Sequence, residues 1–243
     1  ALARTLGVTN PLAMTDDDFR AHQGIREAFT LPMAQRAVYV DYEGLPDQTP
    51  VVFGWLVGDD YRAAIVNPKF AACEGGRRRP QAQLSSHQTA IRSVVNQAAD
   101  EGRNIVSWSH HDARWMLPQL TAPQRKRFRS IYVDARQVAR PWHWSTFGCV
   151  PPSKARLAYF ACLFQIEAPP KYGEHTAADR LACVGQLVAA GLRYGTFPTN
   201  GRKAWRGLLV HNREDVRITK KIVQRILMKQ PPELGPLECA HGS

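Results

Sequence analysis

Three runs rich in β-branched and aromatic residues crowd together between residues 37 and 67: "AVYVDY" at 37–42, "VVFGWLV" at 51–57 and "YRAAIVN" at 61–67. The stretches between them, "GLPDQTP" and "GDD", carry the Gly, Pro and Asp of turns. A parallel pairing needs a crossover of about a dozen residues or more. These connections are shorter, so the three strands are expected to form an antiparallel meander.

The pattern then changes period. In "SSHQTAIRSVVNQAADEG" (85–102), Ala90, Ile91, Val94, Val95, Ala98 and Ala99 fall on one helical stripe. Ser85 or Ser86 suits the N-cap and Gly102 the end. "NIVSW" at 104–108 reads as a short buried strand, "DARWML" as a helix and "SIYVDA" at 130–135 as another strand. From about 153 the chain is mostly helical, interrupted by "APPKYG" and "YGTFPTNG". A long helix is expected over 207–229, closed by "QPPELGP". The order β-β-β-α-β-α-β-α-α predicts a mixed sheet with helices on its faces. Ahead of it, residues 1–35 read as a helical appendage; "TDDDF" has the form of a helix start.

Two acids stand on the first strand. Alternate strand residues share a face, so Ala37, Tyr39, Asp41 and Glu43 point one way and Val38, Val40 and Tyr42 the other. Asp41 and Glu43 then project side by side, roughly 7 Å apart along the strand. Ionised carboxylates this close repel unless a cation lies between them, and a hard divalent ion is the natural bridge. The bland alternative is a strand end with both acids in water.

Two further acids bear on that choice. In "LLVHNREDVRITKKIVQRI" (208–226), Asp215, Thr219, Ile222 and Ile226 share the inward stripe of the helix, with His211 one turn earlier on the same side. A capping arrangement, Asn212 as N-cap and Asp215 three residues on, competes with that reading. In "IVSWSHHDARWML" (105–117) a buried strand ends and Asp112 follows at once. Carboxyl ends of strands are where α/β sheets commonly bind ligands; the alternative is that Ser109 or Asp112 caps the helix. His110 and His111 are adjacent in a loop, an arrangement that seldom ligates one zinc ion. Asp134, at the end of "SIYVD", is a supporting acid at most.

The charge balance leaves two readings open. The chain carries 32 Lys and Arg against 21 Asp and Glu, a formal net charge of +11. That balance suits either a soluble basic protein or one that binds a polyanion such as nucleic acid. "RRR" at 77–79 and "QRKRFR" at 124–129 concentrate the charge. No apolar run approaches the roughly 20 residues of a membrane span, and no signal-peptide core is evident. The five cysteines, odd in number and without a CxxC pair, read as reduced thiols. A cytoplasmic or other intracellular reducing compartment is therefore expected. The chain begins with Ala1, and a processed chain or a piece of a larger multidomain chain or protein complex is expected.

Taken in order, "VYVDYEG", "IVSWSHHDARWML" and "LVHNREDVRIT" resemble the three motifs of the DEDD superfamily of 3′–5′ exonucleases. More narrowly, residues of about 36–229 look like the ribonuclease-H-like domain of predicted RecB-type nucleases. In one branch of the superfamily a Tyr stands four residues before the last Asp, and here that position is His211; in another a His stands five before it, and here that position is Val210.

The resemblance implies an α/β, ribonuclease-H-like fold: a mixed five-stranded sheet, three antiparallel strands plus parallel strands, flanked by helices. The domains would be an N-terminal appendage (1–35), the exonuclease domain (36–230) and a tail (231–243). It implies a metal-dependent 3′–5′ exonuclease hydrolysing phosphodiester bonds of DNA or RNA with two Mg²⁺ or Mn²⁺ ions. Asp41, Glu43 and Asp215 would hold one ion, Asp41 would bridge to the second, Asp112 would complete the set, and His211 would orient or deprotonate the water. Arg77, Arg78, Arg79, Lys126 and Arg127 would grip phosphates, and Trp108 (or Trp115) would stack on a terminal base. The same fold also serves as a nucleic-acid-binding or scaffold module of a larger complex, or as a structure-selective endonuclease.

Overall fold

The computed structural model describes residues 28–45, 48–75, 80–152, 156–168 and 177–235. The meander forms as expected. β1 (Val38–Glu43), β2 (Val52–Val57) and β3 (Asp60–Ile65) pair antiparallel in turn, with Asp41 opposite Gly54 and Gly54 opposite Ala63. β5 (Ile105–Ser107) pairs parallel with β1, and β6 (Tyr132–Asp134) parallel with β5. A further strand, β4 (Ala82–Leu84), runs parallel to β3 at the edge. The sheet therefore has six strands rather than five, in the order β4-β3-β2-β1-β5-β6. Three residues are too few to show an alternating pattern, which is why β4 left no trace in the sequence. The α/β class holds, and the mixed sheet is consistent with a ribonuclease-H-like arrangement.

Strand parity sorts the core into layers. Val38, Val40, Phe53 and Ile105 pack on α2 (His87–Asp100), α3 (His110–Met116) and α4 (Ala122–Ile131). Tyr39, Leu56 and Val106 face the other way, with α1 (Leu31–Arg36), α5 (Ala135–Phe147), α6 (Leu157–Leu163) and the long α8 (Thr199–Leu227). Each fully buried large apolar side chain contributes about 1.5–3 kcal/mol relative to exposure. The stripe expected on α2 is buried at Ala90, Ile91, Val94, Val95 and Ala98, and Ser86 caps it by accepting from Thr89 N at 3.0 Å. Gly102 ends that turn at φ +60°, a conformation that favours glycine.

α8 starts at Thr199, well before residue 207. "TNG" reads as a break, but Gly201 serves helix packing instead. A Cβ there would lie 2.2 Å from Leu187 Cδ1 on α7 (Ala177–Ala189). Asn212 therefore lies deep inside α8 and is not its N-cap.

Of the N-terminal segment expected over 1–35, only 28–35 is described, and there Phe29 and Ala34 are buried in the sheet's own core. Of the tail, 231–235 is described, with Glu233 N and Leu234 N donating to Leu163 O. Cys162 is disulfide-bonded, which corrects the expectation of five reduced thiols; among the described residues Cys73, Cys149 and Cys183 are free. No helix among the described residues is long and apolar enough to cross a membrane.

Candidate metal centre

β1 runs on past the register it shares with β5. Pairing ends at Tyr39↔Val106, and β1 continues to Glu43. α3 occupies the space beside that extension. Ser109 caps α3, its side chain accepting from His111 N at 3.3 Å, so Asp112 is not spent on the cap. Asp112 is 5% exposed and Glu43 also 5%. α8 crosses over β1 and β2 and brings His211 and Asp215 to the face that carries Asp41 and Glu43. Single ligand atoms of Glu43, His211 and Asp215 lie within 4.8 Å of one another.

The four acids act on one another. Burial, then the charges of Asp215, Glu43 and Asp112, push Asp41 well above the usual carboxylate range; a hydrogen bond from Asn212 opposes the shift. Glu43 is pushed up in the same way by burial, Asp215 and Asp112, against a pull from the Arg180 guanidinium. Burial, then Asp112, raises Asp215 to about 8. Burial raises Asp112 to about 7, with hydrogen bonding from Ser107 and from the backbone partly offsetting it. Burial and Arg180 pull His211 down to about 4, so its imidazole is neutral at pH 7. Without a cation these carboxyls cannot all ionise together.

The donor set fits a hard divalent ion. It is dominated by carboxylate oxygens, the chemistry Mg²⁺ and Mn²⁺ take, and the neutral imidazole of His211 stands beside it. Glu43 Oε1 is buried with no hydrogen-bond partner among the described residues. A buried anionic oxygen left so is costly unless something cationic meets it.

The remaining sequence candidates fall elsewhere. Arg77, Arg78 and Arg79 lie outside the described residues. Lys126 and Arg127 are exposed on α4; Arg127 pairs with Asp100 at 3.4 Å, and Ile131 at the end of α4 accepts from Asn104 just before β5. That is the end of the parallel strands opposite to Glu43 and Asp112. Trp108 is partly buried and packs edge-on against Phe160, ring centroids 5.3 Å apart. His110 and His111 are exposed and turn toward Tyr132 and Trp115. Asp134 caps α5, accepting from Arg136 N at 2.9 Å, and adds charge beside Asp112.

Several residues at the centre were not read from the sequence as part of it. Asn212, fully buried, donates from Nδ2 to Asp41 Oδ2 at 2.7 Å and accepts at Oδ1 from the Tyr61 hydroxyl at 2.7 Å. Arg180 lies across Gly207, one turn before His211, and donates to Gly207 O at 2.9 Å. Gly54, a lone glycine inside a strand, was the readable signal, because such glycines often mark a close approach of another segment. No protein-family model, curated protein or solved structure matches the chain.

Proposed function

We propose that the chain is a metal-dependent 3′–5′ exonuclease that hydrolyses phosphodiester bonds of DNA or RNA. The observation that carries this reading is the meeting of four carboxylates from three separate elements, β1, α3 and α8, two of them (Glu43 and Asp112) buried, so close that the charges of Glu43, Asp112 and Asp215 raise the pKa of others in the set. Asp41, Glu43 and Asp215 would hold one Mg²⁺ or Mn²⁺ ion, and Asp41 with Asp112 the second. Ions bound in this way supply an activated water and neutralise charge developing on the phosphate and the departing 3′ oxygen.

The chain's own groups supply the rest. Neutral His211 offers a lone pair to the incoming water and orients it; its lowered pKa makes it a weaker base than free imidazole, so orientation is its main part. Arg180, beside His211 and paired with no carboxylate among the described residues, presents a planar set of N–H donors to a phosphate oxygen. The net charge of +11 draws a polyanion to the surface.

The test is release of nucleotides from a 3′-labelled single strand with Mn²⁺ or Mg²⁺, stopped by EDTA. Asp41→Ala is expected to lower the rate about a thousandfold or more, the loss of several kcal/mol of transition-state stabilisation. Intact DNA and RNA strands after incubation with Mn²⁺ would refute the reading. A circular single strand separates the modes of attack, because a strict exonuclease leaves it whole.

A further inference from the structure

Asparagine is a poor choice for the interior of a long helix, where it favours caps and turns. Asn212 nevertheless sits inside α8 with none of its surface exposed. Its side chain lies directly over Gly54 of β2, the residue opposite Asp41 in the ladder. A Cβ at position 54 would stand 1.7 Å from Asn212 Oδ1 and 2.9 Å from the Tyr61 hydroxyl. The sheet has thus been hollowed at one residue to admit this amide.

The amide is held at both ends. Tyr61 on β3 donates to Oδ1 at 2.7 Å, which fixes the orientation of the group and turns Nδ2 toward β1. Nδ2 then reaches Asp41 Oδ2 at 2.7 Å and Asp41 O at 3.2 Å. The amide engages Oδ2 of Asp41, and a carboxylate held in this way would present its other oxygen to a cation in one orientation. Outer partners of this kind set the orientation of ligating carboxylates.

We infer that Tyr61 and Asn212 form a positioning relay for the metal centre, acting through Asp41. The inference rests on the reading of Asp41 as a metal ligand. It goes beyond that reading by assigning a role to two residues that need not touch ion or substrate, and by explaining why β2 carries glycine at position 54.

The experiment is Mn²⁺ titration of the full chain, followed by calorimetry and by the electron paramagnetic resonance signal of free Mn²⁺. Asn212→Ala leaves a void above Gly54, so it is combined with Gly54→Ala, whose methyl group fills that space once the tip of the Tyr61 side chain, 2.9 Å away, gives by a few tenths of an ångström. The double variant is expected to fold, with a melting temperature near that of the parent, and to bind Mn²⁺ about tenfold or more weakly. Tyr61→Phe keeps the ring and loses only the donor; a smaller loss of affinity in the same direction is expected. Parental Mn²⁺ affinity in the folded double variant would overturn the relay and leave the metal centre standing. A parent chain that binds no Mn²⁺ would overturn both.

Discussion

His211 Nε2 and Asp215 Oδ2 face each other at 3.6 Å across one turn of α8, and in the metal-free protein at pH 7 the contact joins two largely neutral groups. Burial and Arg180 keep the imidazole deprotonated down to about pH 4, while burial and Asp112 keep the carboxyl protonated up to about pH 8. The fold accepts an uncharged pair where two ionisable residues meet, and a cation entering there would displace a proton.

The stability of the metal-free chain should therefore fall as pH rises from 6.5 to 8.5. Asp112 and Asp215 titrate near 7 and 8 when folded and near ordinary carboxylate values when unfolded, so the folded state binds more protons in this window. Their contribution is complete at low pH and disappears as pH passes the folded values. His211 has the opposite sign, but its effect lies between about 6.5 and 4, outside this window. Thermal unfolding in EDTA at several pH values checks this; a flat or rising melting temperature over 6.5–8.5 would contradict it.

Asp215→Asn should stabilise the metal-free chain at pH 8 and abolish its response to metal. Removing a charge the site resists is expected to add about 1–2 kcal/mol, and at about 2–4 °C per kcal/mol for a chain of this size the melting temperature rises by roughly 2–8 °C. The parent should gain stability from Mn²⁺ in excess, about 2.7 kcal/mol at a hundred times Kd, and the variant none. Differential scanning fluorimetry with EDTA and with Mn²⁺ reads both.

Arg180→Met should raise KM for a 3′-labelled strand about tenfold, with a smaller effect on kcat, because it removes a phosphate contact and keeps the apolar stem that packs over Gly207. Arg180→Lys should recover part of the loss, since a point charge replaces a planar set of donors. Steady-state kinetics on the oligonucleotide decide the matter.

Gly201→Ala should destabilise the fold by about 1–3 kcal/mol, because its methyl group meets Leu187 Cδ1 at 2.2 Å. Leu187→Ala should then be less harmful in the Gly201→Ala background than in the parent. A double-mutant cycle by denaturant unfolding measures this coupling.

What could be read in the sequence followed from periodicity. Parity placed Asp41 and Glu43 on one face of β1, and helical spacing placed His211 and Asp215 together on α8; both hold in the folded chain. The features that escaped are those set by contact between distant segments. Gly201 looked like a break in the chain because its partner, Leu187, belongs to another helix. Asn212 looked like a cap because the start of α8 was placed too late, and Arg180 gained meaning only once α7 lay against α8.

The fit of Asn212 over Gly54 ties two distant positions into one inheritable unit. A descendant chain that gained a side chain at 54 would have to surrender the asparagine at 212, and with it the hold on Asp41. In any set of relatives the two positions should therefore change together. A glycine and an asparagine kept as a pair would mark the members that retain a working centre, and their joint loss would mark those that retain the fold alone.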